Sequence, residues 1–280
     1  MMRYCFSHLQ QVKVGVEAEV HGKLPEEIRE TTGVYVPFES PQPAQIMTIG
    51  GDGLLLYVST LFQKSCPPIL PIAGGSLGFL TPHSKSSALS TLLSTSPSPT
   101  SPPTKLTLRM RLFVRITSPT SPPFTFNVLN ECSLHRTSDY LTSLNLSVNS
   151  SPFAPVQADG IIFATPTGST AYSMAAGSSV VHPGVAGIVV QPICPHVLSF
   201  RGMVFPDYAV IEVTTNNNRG GVEVAFDGRE RRVLEEGERL EVRMSKYPVA
   251  TVCNEGDTDD WVRGLSECFG FNRRKLQGED

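Results

Sequence analysis

The chain has few cysteines, and no two of them stand close together. Six occur among its 280 residues, at Cys5, Cys66, Cys132, Cys194, Cys253 and Cys268, with no CxxC pair. This scatter argues against a structural zinc site and a disulfide framework, and it fits a reducing compartment. Net charge is also small: 23 Lys plus Arg against 26 Asp plus Glu leave -3. No field of that size holds nucleic acid or an anionic membrane surface, so any phosphate must be held locally. No apolar run approaches the ~18 residues of a membrane-spanning helix. The opening MMRYCFSHLQ has neither an apolar signal core nor an Arg-rich amphipathic pattern. These absences predict a soluble, cytoplasmic protein with no nucleic-acid or membrane partner. A GxxxxGK[ST] motif is missing, which removes the P-loop kinases, and so is GxSxG, which removes the simplest serine hydrolases.

What is present suits two domains. Glu26 to Thr31 reads as a short helix after Pro25 and Gly33 to Phe38 as a short strand, followed by the Pro-rich loop ESPQPAQ. Ile46, Met47 and Ile49 form an apolar strand that runs into Gly50, Gly51, Asp52 and Gly53, and residues 54–62 continue as a helix. Strand, Gly-rich turn and helix is the layout of the ligand edge of an α/β sheet. A second such turn, Gly74, Gly75, Ser76, Leu77 and Gly78, follows the strand 69–73, which predicts two neighbouring loops on one edge.

From residue 84 to 104 the composition collapses to Ser, Thr and Pro, apart from a Leu-containing patch at 89–93 that predicts a helical turn. The hexapeptide SPTSPP at 98–103 recurs at 118–123, and both copies read as exposed linkers. Between them Leu106, Leu108, Met110, Leu112, Val114 and Ile116 alternate as in one half-buried strand. Short β runs at 144–148, 161–165, 188–190, 210–213, 222–226 and 240–244 then predict an all-β domain. In the tail, Trp261, Val262, Leu265, Cys268 and Phe269 recur at helical spacing, so this segment should pack back on another part of the protein.

The stretch 158–176, ADGIIFATPTGSTAYSMAA, combines a strand with a run of small hydroxyl residues. Pro166 should end the strand at Thr165, Gly168 suits a tight turn, and Ser169 or Thr170 can cap an Ala-rich helix. Such a corner either presents N–H groups to an anion or is an ordinary strand-to-helix connection. Asp52, flanked by glycines, can hydrogen bond a sugar hydroxyl, accept its proton, or simply cap the next helix. Asn130 and Glu131 are a polar pair at a strand end. Asp159 reads as a ligand contact or a turn former, and His196 as a packed histidine or a ligand contact. Asp227, Gly228 and Arg229 read as a hairpin turn, and Arg201 and Arg229 are the nearest cations to the motifs.

Taken together, GGDG at 50–53, GSLGFLTP at 75–82, NE at 130–131, DGIIFATPTGSTAYS at 159–173, HP at 182–183 and QPICPHVLSFR at 191–201 closely resemble the NAD kinase family in its eukaryotic, ATP-dependent branch. The resemblance implies a fold of α/β plus all-β type. An N-terminal Rossmann-like α/β domain, 1–103 and shortened, with a linker at 86–103, precedes a β-sandwich-like NAD-binding domain at 104–256. A helical segment at 257–280 returns to the first domain. It implies transfer of the γ-phosphoryl group of ATP, with magnesium, to the 2′-hydroxyl of the adenosine ribose of NAD, and assembly as a homo-oligomer. Asp52 corresponds to the catalytic acid, which meets the dinucleotide held by the other domain. Gly51, Gly53, Asn130, Glu131, Asp159, Thr170, Ala171, Tyr172, Ser173, Met174, Ala175, His196 and Arg229 correspond to the binding set. Leu54 departs from the family threonine of GGDGT, and the strand and helix usual upstream of the acidic turn are barely represented in residues 1–45, as in an incomplete gene model. A catalytically impaired NAD-binding or assembly subunit, and a lipid kinase sharing GGDG, are the alternatives.

Overall fold

The computed structural model describes residues 13–95, 104–215 and 221–270. It divides into two compact units: Met1–Leu55, Pro67–Leu106 and Val252–Asp280 form the first, and Leu56–Cys66 with Thr107–Thr251 the second.

In the first unit, β1 (Gly15–Glu17) pairs in parallel with β2 (Gly33–Tyr35), and the short helices α1 (Ala18–His21) and α2 (Glu26–Arg29) lie between them in sequence. β3 (Ile46–Gly50) pairs in parallel with β4 (Ile69–Ala73), from Ile46 opposite Ile69 to Gly50 opposite Ala73. Parallel neighbours need a crossover, and α3 (Asp52–Leu61), whose residues from Leu56 on are counted with the second unit, supplies its helix. All five residues of β4 are buried, as its unbroken apolar run requires. α4 (Lys85–Thr95) follows, and its Ala88 packs with Leu70, Ile72 and Val252. Composition had suggested a linker with one helical turn there. Ser, Thr and Leu are compatible with a helix once an apolar strand is available to pack on. The first SPTSPP copy, at 98–103, lies outside the described residues.

The last helix, α5 (Asp257–Cys268), belongs to the same unit. Its Gly264 faces Phe79 so closely that a Cβ would come within 2.8 Å of the ring. Phe269 stacks at a tilt on Phe79 with centroids 5.3 Å apart, and the Cys268 thiol donates to the Leu77 carbonyl at 3.6 Å. The apolar face of the tail therefore closes on the turn that follows β4.

The second unit is built on one antiparallel sheet of eleven strands. They are β6 (Leu112–Thr117), β7 (Phe124–Val128), β8 (Glu131–Arg136), β9 (Thr142–Val148), β10 (Ser151–Ala164), β11 (Gly187–Pro195), β12 (Met203–Pro206), β13 (Ile211–Thr215), β14 (Val222–Phe226), β15 (Glu230–Leu234) and β16 (Arg239–Met244), with β5 (Leu106–Arg109) and β17 (Val249–Val252) outside it. The path runs β15, β14, β8, β10, β9, β13, β16, β6, β7, while β11 adds to β10 and β12 to β11. Alternation along each strand sends Leu112, Val114 and Ile116, Leu144 and Leu146, Ile211 and Val213, Val222 and Val224, and Leu240 and Val242 into one core. The second SPTSPP copy, at 118–123, is the exposed hairpin loop between β6 and β7 rather than a linker.

The alternating run from Leu106 to Ile116 is two strands, broken at Met110 and Arg111. Arg111 explains the break. Its side chain is fully buried and donates from Nε to the Tyr247 carbonyl at 2.7 Å, from Nη1 to Ser59 at 3.2 Å and Phe62 at 2.8 Å, and from Nη2 to Lys64 at 2.7 Å. A helix leaves its last carbonyls without partners, and this guanidinium takes those around the end of α3. Replacing Arg111 with Met should cost about 3 kcal/mol or more, because four carbonyls lose a charged donor at once. Arg111→Lys should recover only part of the loss, since an ammonium lacks the planar fork. Urea unfolding of the two variants checks both outcomes.

Candidate functional site

In the first unit the sequence folds around Asp52. The turns after β3 and β4 come together, with Gly74 N–H donating to the Gly50 carbonyl at 3.0 Å, and a Cβ on Gly74 would sit 3.1 Å from Gly50 Cα. Asp52 opens α3, and its carboxylate reaches the second turn. Oδ2 accepts from Phe79 N–H at 3.1 Å, and Oδ1 accepts from Leu80 N–H at 2.9 Å and from the Thr81 hydroxyl at 3.4 Å. Thr81 Oγ1 also accepts from Gly78 N–H at 3.0 Å. A Cβ on Gly78 would overlap both Asp52 Oδ1 and Thr81 Oγ1, so glycine is the residue that fits. Each carboxylate oxygen offers two accepting directions, which leaves one on Oδ2 beyond these bonds. Gly51 and Gly53 are exposed beside it. Leu54 folds back on Gly50, where a Cβ would meet its Cδ2 at 3.1 Å.

In the second unit the residues at 129–131 make a turn whose backbone is completely bonded. Leu129 N–H donates to Asp227 Oδ2 at 2.8 Å, while Asn130 and Glu131 N–H donate to Oδ1 at 2.7 and 3.2 Å. On the carbonyl side, Leu129 accepts from the Thr165 hydroxyl at 2.6 Å, Asn130 from Thr165 N–H at 2.8 Å, and Glu131 from Asp227 N–H at 3.0 Å. Thr165 Oγ1 also takes Gly168 N–H at 2.9 Å, and a Cβ on Gly168 would overlap the Asn130 carbonyl. The side chains contrast with this. Asn130 Oδ1 and Glu131 Oε2 are buried and have no hydrogen-bond partner among the described residues. Buried polar atoms are costly in that condition, and a bound ligand is one way to satisfy them. Burial, with the Asp227 carboxylate nearby, pushes Glu131 up to about 8. Burial raises Asp227 to about 6, against the pull of its three amide donors. The amide donors make Asp227 the readier of the two to ionise, and its charge favours the protonated form of Glu131.

The stretch after Thr165 departs from the expected helix cap. Thr167–Thr170 is one tight helical turn with every residue buried, followed by the four-residue helix Tyr172–Ala175. Neither Ser169 nor Thr170 caps that helix. The Ser169 hydroxyl donates to the Pro166 carbonyl at 2.7 Å and accepts from Val181 N–H at 2.8 Å, and Thr170 donates back to Thr167 at 3.1 Å. The N–H groups of Gly168, Ser169 and Ala171 are committed to Thr165, Pro166 and Gly168. These three N–H groups are therefore not open to an anion. The corner braces the 129–131 turn instead, with the Ser173 hydroxyl donating to Gly168 at 3.1 Å.

Around it, Ala171 and Met174 are half-buried, and Tyr172 and Ala175 are exposed. The Tyr172 ring lies 5.7 Å from that of His135, and burial raises its hydroxyl, with Cys194, Glu131 and Asp159 adding to the effect. Asp159 is ion-paired with Arg136 at 2.7 Å. His196 is exposed and is tied by its N–H to the Gln157 carbonyl at 2.9 Å, two residues from Asp159. Arg229 stands apart from these, over the Tyr57 ring at 5.7 Å. Sequence reasoning had no role for Arg136 or Thr165 and took Asp227 as a turn former. Among the described residues, no group of three or more His, Cys, Asp or Glu could hold a metal ion.

A mixed α/β unit with a carboxylate seated between two Gly-rich turns, and a second unit built on one antiparallel sheet, define a protein of α/β plus all-β class. The crystal structure of yeast NADH kinase complexed with NADH superposes with a TM-score of 0.88 at 28% identity, covering 99% of this chain and 85% of that one. The ATP-NAD kinase N-terminal domain model matches residues 2–95 and the ATP-NAD kinase C-terminal domain model residues 129–253. The chain belongs to the NAD kinase family. It is 40% identical over 244 residues to probable NAD kinase 1 of Oryza sativa subsp. japonica, covering 84% of this chain and 45% of that protein. To the chloroplastic NAD kinase 2 of Arabidopsis thaliana it is 37% identical over 282 residues, covering 95% and 28%. The chain thus spans less than half the length of these two relatives.

The proton on Glu131 has a measurable consequence. A carboxyl that binds its proton more tightly when folded contributes stability that is full below its unfolded pKa and lost as pH rises through the folded value. For Glu131 that window ends at about 8, and for Asp227 at about 6. Ligand-free stability should therefore fall between pH 6 and 8, with a slope of at most about 1.4 kcal/mol per pH unit for this one proton. Glu131→Gln should flatten the slope, as read by urea unfolding across that range. An unchanged slope would show that Glu131 is already ionised.

Proposed function

We propose that the protein is an NAD kinase that transfers the γ-phosphoryl group of ATP to the 2′-hydroxyl of the adenosine ribose of NAD, forming NADP. The observation that carries this reading is the pair of buried, unpartnered side-chain oxygens of Asn130 and Glu131 on a turn with no free backbone group. Such atoms are suited to the amide and hydroxyl groups of a dinucleotide. With its proton in place, Glu131 offers a donor as well as an acceptor. Asp159, Tyr172 and the half-buried Ala171 and Met174 extend the same binding surface, and His196 and Arg229 are its outlying members.

Asp52 takes the part of the acid that orients the attacking hydroxyl and accepts its proton, using the direction left on Oδ2. Phosphoryl transfer asks little covalent chemistry of a protein, so orientation and charge screening supply most of the rate. Magnesium, when bound, screens the triphosphate charge. It fits this chain as an ion carried on the ATP phosphates, because the described residues offer no cluster of three ligands. We place the protein in the cytoplasm as a homo-oligomer. Free cysteines among the described residues support a reducing compartment, and no described helix is long and apolar enough to cross a membrane.

Incubation with NAD, ATP and magnesium should yield NADP, and Asp52→Asn should lower kcat by about 100-fold or more, the usual worth of a positioned acid or base. Full activity in that variant would remove Asp52 from the reaction. Calorimetric NAD binding with no turnover, even after Leu54→Thr, would instead identify a non-catalytic binding subunit. Gly78→Ala should reduce kcat as well, because the added methyl displaces the Asp52 carboxylate while leaving the acid in the sequence.

A further inference from the structure

We propose that Asp227 is a positioning residue of the dinucleotide site: its carboxylate binds the amides of Leu129, Asn130 and Glu131 together and so fixes the direction in which Asn130 and Glu131 meet the substrate. The inference rests on the reading of that turn as the dinucleotide contact. Asp-Gly at the start of a hairpin ordinarily needs no other explanation, since both residues tolerate positive φ, and here Asp227 has φ 48° and Gly228 φ 66°. The side chain argues for more. A turn-forming Asp points into solvent or bonds its own loop. Asp227 is 5% exposed and reaches out of its hairpin to three consecutive amides of another strand end, at 2.7 to 3.2 Å, while its own N–H closes on the Glu131 carbonyl.

The arrangement has two effects. Three N–H groups on one carboxylate make a rigid cradle, because rotating any one peptide of the turn breaks a bond to a charged acceptor. The anion also lies beside Glu131, which favours the protonated form of that side chain. Arg111 is the cation that acts on Asp227 electrostatically, and its own hydrogen bonds go to carbonyls. Removing the charge at Asp227 therefore loosens the orientation of both substrate-facing side chains without touching either.

Asp227→Asn keeps the shape and the tolerance for positive φ, and it replaces one accepting oxygen with a donor that opposes an amide. We expect the KM for NAD to rise about tenfold or more, with the KM for ATP changed less than about twofold and kcat largely kept, the pattern of lost substrate binding. Val224→Ala, a buried change in the same hairpin, is the control for lost stability and should leave both KM values unchanged. A wild-type KM for NAD in Asp227→Asn, or the same rise in Val224→Ala, overturns the proposal. The wild-type protein gives a test that does not depend on either variant folding. Hydrogen exchange should show the amides of residues 129–131 protected by about 1,000-fold or more before NAD is added, as expected of a preformed cradle. Rapid exchange that slows only on NAD binding overturns it. Failure of the wild-type protein to form NADP would count against the functional reading alone, because the exchange result still decides whether Asp227 holds the turn.

Discussion

The second unit depends on one small piece of backbone, the turn at 129–131, and on the two residues that satisfy it. Thr165 and Asp227 together take all six main-chain polar groups of that turn. They arrive from different strand ends, Thr165 just after β10 and Asp227 just after β14, and both strands pair with β8, which begins at Glu131. The register of the sheet thus brings a hydroxyl, an amide and a carboxylate to one point. Since the backbone is fully bonded, the unpartnered oxygens of Asn130 and Glu131 cannot be relieved by a local shift without breaking something better. That conflict is the observation on which the proposed ligand contact rests.

The two units use the same interaction for different ends. Asp52 and Asp227 each sit on consecutive backbone amides, Phe79 and Leu80 in one case and residues 129–131 in the other. Asp227 is enclosed, and its oxygens are used by the turn. Asp52 is half-buried beside two exposed glycines and keeps an accepting direction. Exposure separates a carboxylate open to a further partner from one used up in holding a turn. A hydrogen-bond list without burial would make the two look alike.

Much of this was legible in the sequence, and the limits have physical causes. Both Gly-rich turns were readable because a Cβ at Gly78 would overlap Asp52 and one at Gly74 would crowd Gly50, so the need for close approach is written as residue identity. The strands at 144–148, 222–226 and 240–244 were readable from alternation, because one face of the sheet is a common core. The cap at Ser169 and Thr170 was misread, since hydroxyls next to a short Ala-rich run suit a cap and an internal brace equally. What decides is the Ser169 hydroxyl turning back to Pro166 and taking Val181 N–H, and the second of these contacts is set by how the chain folds back twelve residues later. Asp227 was hidden by a good local explanation: Asp-Gly accounts for a hairpin, and nothing in the sequence says where the carboxylate points. Arg111 was hidden in the same way, inside an alternating run that reads as one strand until its partners are known.

Arg111 and Asp227 also show how this unit tolerates buried charge. The guanidinium bonds carbonyls around the end of α3 and at Tyr247, and the carboxylate bonds amides of the 129–131 turn. Each is neutralised mainly by peptide dipoles, and the attraction between them is a secondary effect. A direct ion pair would be no improvement, because it would strip donors from the carbonyls and an acceptor from the amides, and unpaired buried peptide groups cost about 1–3 kcal/mol each. It would also cancel the negative charge beside Glu131. Amide donors favour the ionised form of Asp227, and that charge, with burial, raises the proton affinity of the neighbouring carboxyl. The choice of backbone over side chain as the counter-charge therefore sets the electrostatic surroundings of the turn that carries Asn130 and Glu131.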